Sequence, residues 1–347
     1  MLRVVGFGGG TGLPVLLKAL RTIPEIEATA IVTVTDNGGS SGRLCQTFGI
    51  PAVGDLRNCL VALSGADSVL ADLFQHRFSA ADGLGGHSLG NLIVTAMCQR
   101  TGSLDLAVEM MSRLLPLKGR ALPATGSHAT LCAAFTDGTT VRGESQISAA
   151  GRRIARIWLE PGNPPPSPGV IHAIQQADTI IFAPGSLYTS ILPNLLVAGV
   201  ADAVRASRAV KIFVCNLMTQ PGETDGYAAS DHVRALEGYL GRGIVQFCIA
   251  NSSTQAARGG SRNPGSEPVL CDSERIAAIG PIPVEEDLAL PQATGTHHDP
   301  EALGRLVWEI SRGRLSQTVY RRQPERAVCE FAEKPREAVC LNQCTPS

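Results

Sequence analysis

The sequence predicts an α/β fold: a parallel sheet flanked by helices, with a β-hairpin insertion in the middle. Three observations carry this. Strand, Gly-rich turn, helix and strand follow one another within the first 35 residues, the order of a βαβ unit. Apolar strand-like runs recur in the second half, and several end in polar loops. Between the halves the pattern changes to alternation around Asp137-Gly138, a strong short hairpin signal.

Each element has its own warrant. Residues 2–7 read as a buried strand. Leu13, Leu16, Leu17 and Leu20 recur at helical spacing. Residues 29–35 are rich in β-branched side chains and predict a second strand. Helical patterns follow at about 55–64, 67–77, 89–101 and 104–115. Residues 129–147 and a strand at 153–159 predict a β insertion over about 119–160 that covers part of the sheet. A Pro-rich connection, 161–168, leads to a strand at 178–183 and a helix starting near Ser190. A strand at 210–217, a helix at 229–240 and a strand at 244–250 follow. Residues 252–267 read as a mobile Ser/Gly/Arg-rich loop, and a last helix covers about 300–312. The expected organisation is one α/β domain over 1–313 and a polar, poorly ordered tail over 314–347.

Composition narrows the class. With 30 Lys+Arg against 31 Asp+Glu, no charge asymmetry points to nucleic acid or an anionic membrane. Aromatics at 4% argue against an RNA-stacking surface. No apolar run approaches the ~18 residues of a membrane span, and the first residues lack the apolar stretch of a signal peptide. A cytoplasmic protein is expected. The ten Cys form no Cys-x-x-Cys pair, so a zinc ribbon is not expected. Cys59, Cys98, Cys132, Cys215 and Cys248 sit in apolar stretches and are expected as small buried thiols. Cys329, Cys340 and Cys344 lie in the tail.

The chemistry-bearing residues sit in loops at strand ends and helix starts. Gly8, Gly9, Gly10, Thr11, Gly12 and Leu13 lie between the first strand and the first helix, where backbone N–H groups and a helix N-terminus are aimed at an anion. The loop is neither a Walker loop nor a clean dinucleotide fingerprint. After the second strand come Asp36, Asn37, Gly39, Ser40, Ser41 and Arg43, a donor set suited to a diphosphate, with Asp36 available to a ribose or a metal. Asp55, Arg57 and Asn58 open the next helix, and Asp55 also suits a helix cap. His87 and Asn91 flank another Gly-containing helix start, with Ser88 as its N-cap. Gly185, Ser186, Thr189 and Ser190 repeat the anion-site pattern. Asn216, Thr219, Glu223 and Thr224 follow a strand and are not needed to make a turn. Asp299 reads as an N-cap, and His297-His298 alone do not make a metal site. Asp36 and Asp55 could share Mg²⁺, and Asp36, Asp55 and His87 are the catalytic candidates.

Six ordered motifs resemble the CofD-like superfamily, and most closely its YvcK branch of gluconeogenesis factors. They are Gly8-Gly9-Gly10-Thr11-Gly12-Leu13, Thr33 to Leu44, Gly54 to Leu60, Gly86 to Leu92, Pro184 to Ile191 and Asn216 to Thr224. The resemblance implies a Rossmann-like fold and a nucleotide-diphosphate site. For the YvcK branch it implies binding of UDP-N-acetylglucosamine or a related UDP-sugar. The associated role is in cell shape and wall-precursor control on gluconeogenic carbon. For the CofD branch it implies 2-phospho-L-lactate transfer from a guanylyl-activated donor to a deazaflavin, with Mg²⁺. By that resemblance Gly10, Thr11 and Gly12 would touch phosphate and Asp36 would face the reacting or sugar end. The sequence departs from the pattern at Asn37, where many relatives carry a second Asp, and at Cys45, where they often carry a basic residue.

The expectation is therefore a regulatory protein that binds a nucleotide sugar. It needs no cofactor for binding, forms a homo-oligomer, and has protein partners in wall synthesis. The alternative is a Mg²⁺-dependent transferase. A third reading, an NAD(P)-dependent oxidoreductase, is disfavoured by the imperfect fingerprint and the extra phosphate-type loops.

Overall fold

In a computed structural model, described for residues 1–65, 69–79, 83–253, 265–292 and 295–313, a seven-stranded all-parallel sheet forms the centre. Its order is β3(Arg120–Pro123)–β2(Ile26–Val32)–β1(Leu2–Gly8)–β7(Thr179–Phe182)–β8(Val210–Val214)–β9(Phe247–Asn251)–β10(Ile282–Glu286). Strand pleating divides the side chains between two cores. Val4 of β1, Ile181 of β7 and Ile212 of β8 face one layer. Val5, Phe7, Phe182 and Phe213 face the other. Phe7 and Phe182 stack across neighbouring strands with ring centroids 5.6 Å apart.

The first face is covered by α1(Gly12–Leu20), α3(Gly54–Leu63), α5(Leu89–Thr101), α6(Leu104–Leu114) and α13(Pro300–Ser311), with α4(Val69–Gln75) against them. The second face is covered by α8(Val170–Gln176), a π-turn at Leu187–Ile191, α9(Leu192–Leu195), α10(Val200–Ala206), α11(Ala229–Leu240) and α12(Ser273–Ile279). On that side lies the predicted insertion, a three-stranded antiparallel sheet of β4(Thr130–Phe135), β5(Thr140–Arg142) and β6(Ile154–Glu160). A small hairpin, β11(Ala289–Gln292) and β12(Gly295–His298), precedes α13. Asp299 caps α13, accepting from the N–H groups of Glu301 and Ala302. No single helix among the described residues is long and apolar enough to cross a membrane.

Several boundaries differ from the sequence reading. Arg120–Pro123 is not insertion but the edge strand β3, paired in parallel with β2. The second strand lies three residues earlier than its β-branched run suggested, at Ile26–Val32, because it pairs residue for residue with Leu2–Gly8. The hairpin turns at Asp137-Gly138, but its second strand is only three residues long. Glu144–Ala149 then forms a helix, α7. Residues 39–43, read as part of a loop, open a helix, α2(Gly39–Phe48). Two glycines, two serines and a threonine make poor helix formers there, so packing and not propensity sets this helix. The N-cap of α3 is Val53, which places Asp55 inside the first turn and not at the cap. Cys59, Cys98, Cys132, Cys215 and Cys248 are buried free thiols as read. The tail Cys residues and most of the 252–267 loop lie outside the described residues.

Candidate functional site

Strand order reverses between β1 and β7. From β1 the chain moves outward through β2 to β3, and from β7 it moves the other way to β10. Ligands of such sheets bind beyond the strand C-termini at this reversal. Here the turn after β1 and the turn after β7 meet. A β-carbon on Gly12 would lie 1.8 Å from the Pro184 carbonyl oxygen, so α1 can start this close to the second turn only with glycine. A β-carbon on Gly9 would lie 2.6 Å from Asp55 Oδ2 and 3.3 Å from Ser190 Cβ. Gly9 is therefore the point where the first loop, α3 and the π-turn come together. Gly8 closes β1 and its carbonyl accepts from Thr33 N–H at 3.0 Å. Leu13 is fully buried in the core, which leaves only its backbone for a ligand.

The second turn is braced from the next strand. Asn216 accepts from Gly185 N–H through Oδ1 at 2.7 Å and donates to Gly185 O through Nδ2 at 2.8 Å. Glu223, buried from the same loop, accepts from Ser186 Oγ, from Thr189 Oγ1 at 3.2 Å and from Ser148 Oγ at 3.0 Å. Burial pushes the Glu223 carboxyl up, and these hydroxyl donors oppose the shift. Thr219 and Thr224 fold their own loop: Thr219 Oγ1 accepts from Glu267 N–H and Thr224 Oγ1 from Gln220 N–H, both at 2.9 Å. Ser190 is buried beside Gly9.

On the β2 side Asp36 accepts from Gly38 N–H at 2.8 Å. Asn37 does not pair with Asp36 as a second metal ligand would. Its Oδ1 accepts from Ser145 N–H and its Nδ2 donates to Gln146 Oε1, each at 2.8 Å, so both amide groups clamp α7 to the loop. Ser40 and Ser41 are buried in the first turn of α2. Arg43 donates to Gly85 O at 2.7 Å. Arg57, 3% exposed, donates to Asn58 Oδ1 at 2.7 Å and to Phe74 O at 3.4 Å. Burial and the neighbouring Arg77 lower it to about 10. Ser88 caps α5 through Asn91 N–H, and His87 lies buried beside Ser40.

Two carboxyls in this region hold protons unusually well. Burial, with Asp36 adding repulsion, raises Asp55 to about 6, although Gly10 N–H and Arg57 oppose it. Burial next to Asp36 and Glu223 raises Glu144 to about 7. Glu144 was missed by sequence reasoning, as were Ser145, Gln146 and Ser148: the first three lie in the alternating run 129–147, read as hairpin, and Ser148 lies just beyond it. Lys18 and His297 were also not singled out as site residues. They line a cavity of about 310 Å³ together with Asn58, Gln75 and Thr11, which also belongs to the first loop.

Asp36 and Asp55 lie close enough to couple, but Asn37 is committed to α7. Among the described residues no group of three or more His, Cys, Asp or Glu side chains is arranged around one point for a cation.

The fold and this crevice define a doubly wound, Rossmann-like protein with Gly-rich loops gathered at the sheet's switch point. The family model described as 2-phospho-L-lactate transferase CofD matches residues 4–289, and the chain belongs to the CofD family, in its gluconeogenesis-factor branch. It is 44% identical over 308 residues to the gluconeogenesis factor of Halalkalibacterium halodurans, covering 88% of this chain and 95% of that one. It is 43% identical over 310 residues to the gluconeogenesis factor of Bacillus subtilis, covering 89% and 98%. A crystal structure of a UPF0052-family protein from Bacillus halodurans superposes with a TM-score of 0.84 at 44% identity, over 88% of this chain and 99% of that one.

Proposed function

We infer that the switch-point crevice binds a nucleotide diphosphate sugar of the UDP-N-acetylglucosamine type, and that the protein acts as a regulator of wall-precursor metabolism through that binding. The observation that carries this is the meeting of two Gly-containing turns at Gly12 and Pro184. The first of these turns leads into α1, whose N-terminus favours an anion in that volume. Neutral and cationic donors from Ser41, Arg43 and Arg57 stand near the second strand end, as a diphosphate requires. The cavity bearing Thr11, Lys18 and His297 continues from the same loop and offers room for the rest of the ligand. The names of the relatives support a metabolic role in gluconeogenic growth.

A second reading has one observation in its favour. Asp36 and Asp55 are close enough to raise the latter's proton affinity, and the family model carries a transferase description. In that reading Mg²⁺ arrives with a guanylyl-activated donor. Calorimetric titration with UDP-N-acetylglucosamine, UDP-glucose, GDP, GTP and NAD, with and without Mg²⁺, separates the two. Selective UDP-sugar binding, with the ligand recovered intact, is the expected result. Guanine-nucleotide binding that depends on Mg²⁺ overturns it.

A further inference from the structure

We propose that Asn91 and Ser40 are positioning residues that fix the tautomer of His87, so that its Nε2–H stands as a neutral donor to a phosphoryl oxygen of the ligand. The inference rests on the nucleotide-diphosphate reading above and deepens it. Asn91 Nδ2 lies 3.0 Å from Ser40 Oγ, and Ser40 Oγ lies 2.9 Å from His87 Nδ1. The three residues come from α5, α2 and the turn between α4 and α5. They are 2%, 6% and 8% exposed, so water does not compete for these bonds.

The direction of the relay follows from donor chemistry. A carboxamide nitrogen only donates, so Ser40 Oγ accepts from Asn91; among the described residues the one other group bonded to that hydroxyl is His87 Nδ1, which is the acceptor left for the Ser40 proton. A ring nitrogen that accepts is bare, which puts the ring proton on Nε2. Turning the Asn91 amide over would reverse every bond. It would also set the NH₂ group where Oδ1 now lies without a partner among the described residues. A buried orphan donor is rarer than a buried orphan carbonyl oxygen, so the first arrangement is favoured. Asn91 is itself anchored: its N–H donates to Ser88 Oγ at 3.2 Å, and its carbonyl accepts from Thr95 Oγ1 at 2.8 Å.

The relay sets His87 beside a cation. Arg43 Nη2 donates to Gly85 O, two residues before His87, and a β-carbon on Gly86 would lie 3.1 Å from that nitrogen. Burial and the Arg43 charge also oppose a second proton on the ring. The Arg43 guanidinium and the His87 ring therefore share a turn. That pair suits a phosphoryl oxygen, which accepts more than one hydrogen bond. Ser40 acts in this scheme through His87 and not by touching the ligand.

The test uses the full chain labelled with ¹⁵N-histidine. Long-range ¹H–¹⁵N correlation of the free protein is expected to show His87 with a bare Nδ1 and a protonated Nε2. A protonated Nδ1 overturns the proposal with no variant needed. Ser40→Ala is expected to lose the single-tautomer signature and to weaken UDP-N-acetylglucosamine binding about tenfold, while Ser40→Thr keeps both. His87→Ala is expected to weaken binding to a similar degree. The Ser40→Ala/His87→Ala double variant is then no weaker than either single. Additive losses would mean that Ser40 contacts the ligand by itself, which sinks the relay. Wild-type protein that binds no nucleotide instead removes the ligand reading, while the free-protein spectrum still decides the tautomer.

Discussion

The α-carbon of Gly12 packs against Pro184 so closely that a β-carbon there would sit 1.8 Å from the Pro184 carbonyl oxygen. This contact locks the turn after β1 to the turn after β7. Neither partner can retreat easily, because Gly12 opens α1 and Pro184 follows a central strand. Gly12→Ala is expected to cost about 3 kcal/mol or more, the upper range for overpacking against rigid backbone. Urea unfolding gives the number, and a loss under 1 kcal/mol would show that the two turns can separate.

Asn216 holds both backbone polar groups of Gly185. Asn216→Ala leaves that N–H and carbonyl without their partner, at about 1–3 kcal/mol. The Gly185 turn loses its brace, so nucleotide affinity falls as well. Asn216→Asp keeps the acceptor for Gly185 N–H and sets a carboxylate against Gly185 O, so it is expected to do no better. Thermal melts with and without UDP-N-acetylglucosamine measure both effects.

Asp55 holds its proton up to about 6, against 3.8 in its usual setting. Between these values the folded chain keeps a proton that the unfolded chain has lost. The contribution of Asp55 to stability therefore falls as pH rises through that window, and the penalty persists above it. Asp55→Asn, which still accepts from Gly10 N–H, is expected to be more stable than wild type at pH 8 by about 1–3 kcal/mol. The gain shrinks towards zero near pH 4. Denaturant titrations at pH 4, 6 and 8 check both the sign and the window.

Glu144 titrates near 7 on a helix that the Asn37 amide ties to the crevice. Its ionisation adds negative charge near Asp36 and Glu223 as pH rises from 6 to 8. Affinity for an anionic diphosphate is expected to fall over that range, and Glu144→Gln to flatten the fall. Calorimetry at three pH values decides it: equal slopes for the two proteins would place Glu144 away from the ligand.

Much of the fold was legible because it rests on local pattern. The βαβ start, the Asp137-Gly138 hairpin and the N-caps at Ser88 and Asp299 all arise from interactions within a few residues. Two helices next to the crevice were not legible. Gly39–Phe48 opens on two glycines and two serines and is held by packing, with Ser40 bonded to Asn91 fifty-one positions away. Glu144–Ala149 sits in an alternating stretch, and its placement shows only through the bonds to Asn37 and Glu223.

Sequence by itself determined the α/β class, the Gly-rich loops and which residue types lie at the strand ends. Tertiary structure decided what those residues do to one another. It bonded Asn37, a nucleotide-binding candidate, to α7 as a clamp, and made loop braces of Thr219 and Thr224. It also brought Glu144 towards Asp36 and Glu223. The reason is range. Turn chemistry, caps and periodicity act over a few residues and leave a mark in the chain. Hydrogen-bond partners and burial in a crevice are set by elements that meet only after the sheet has formed.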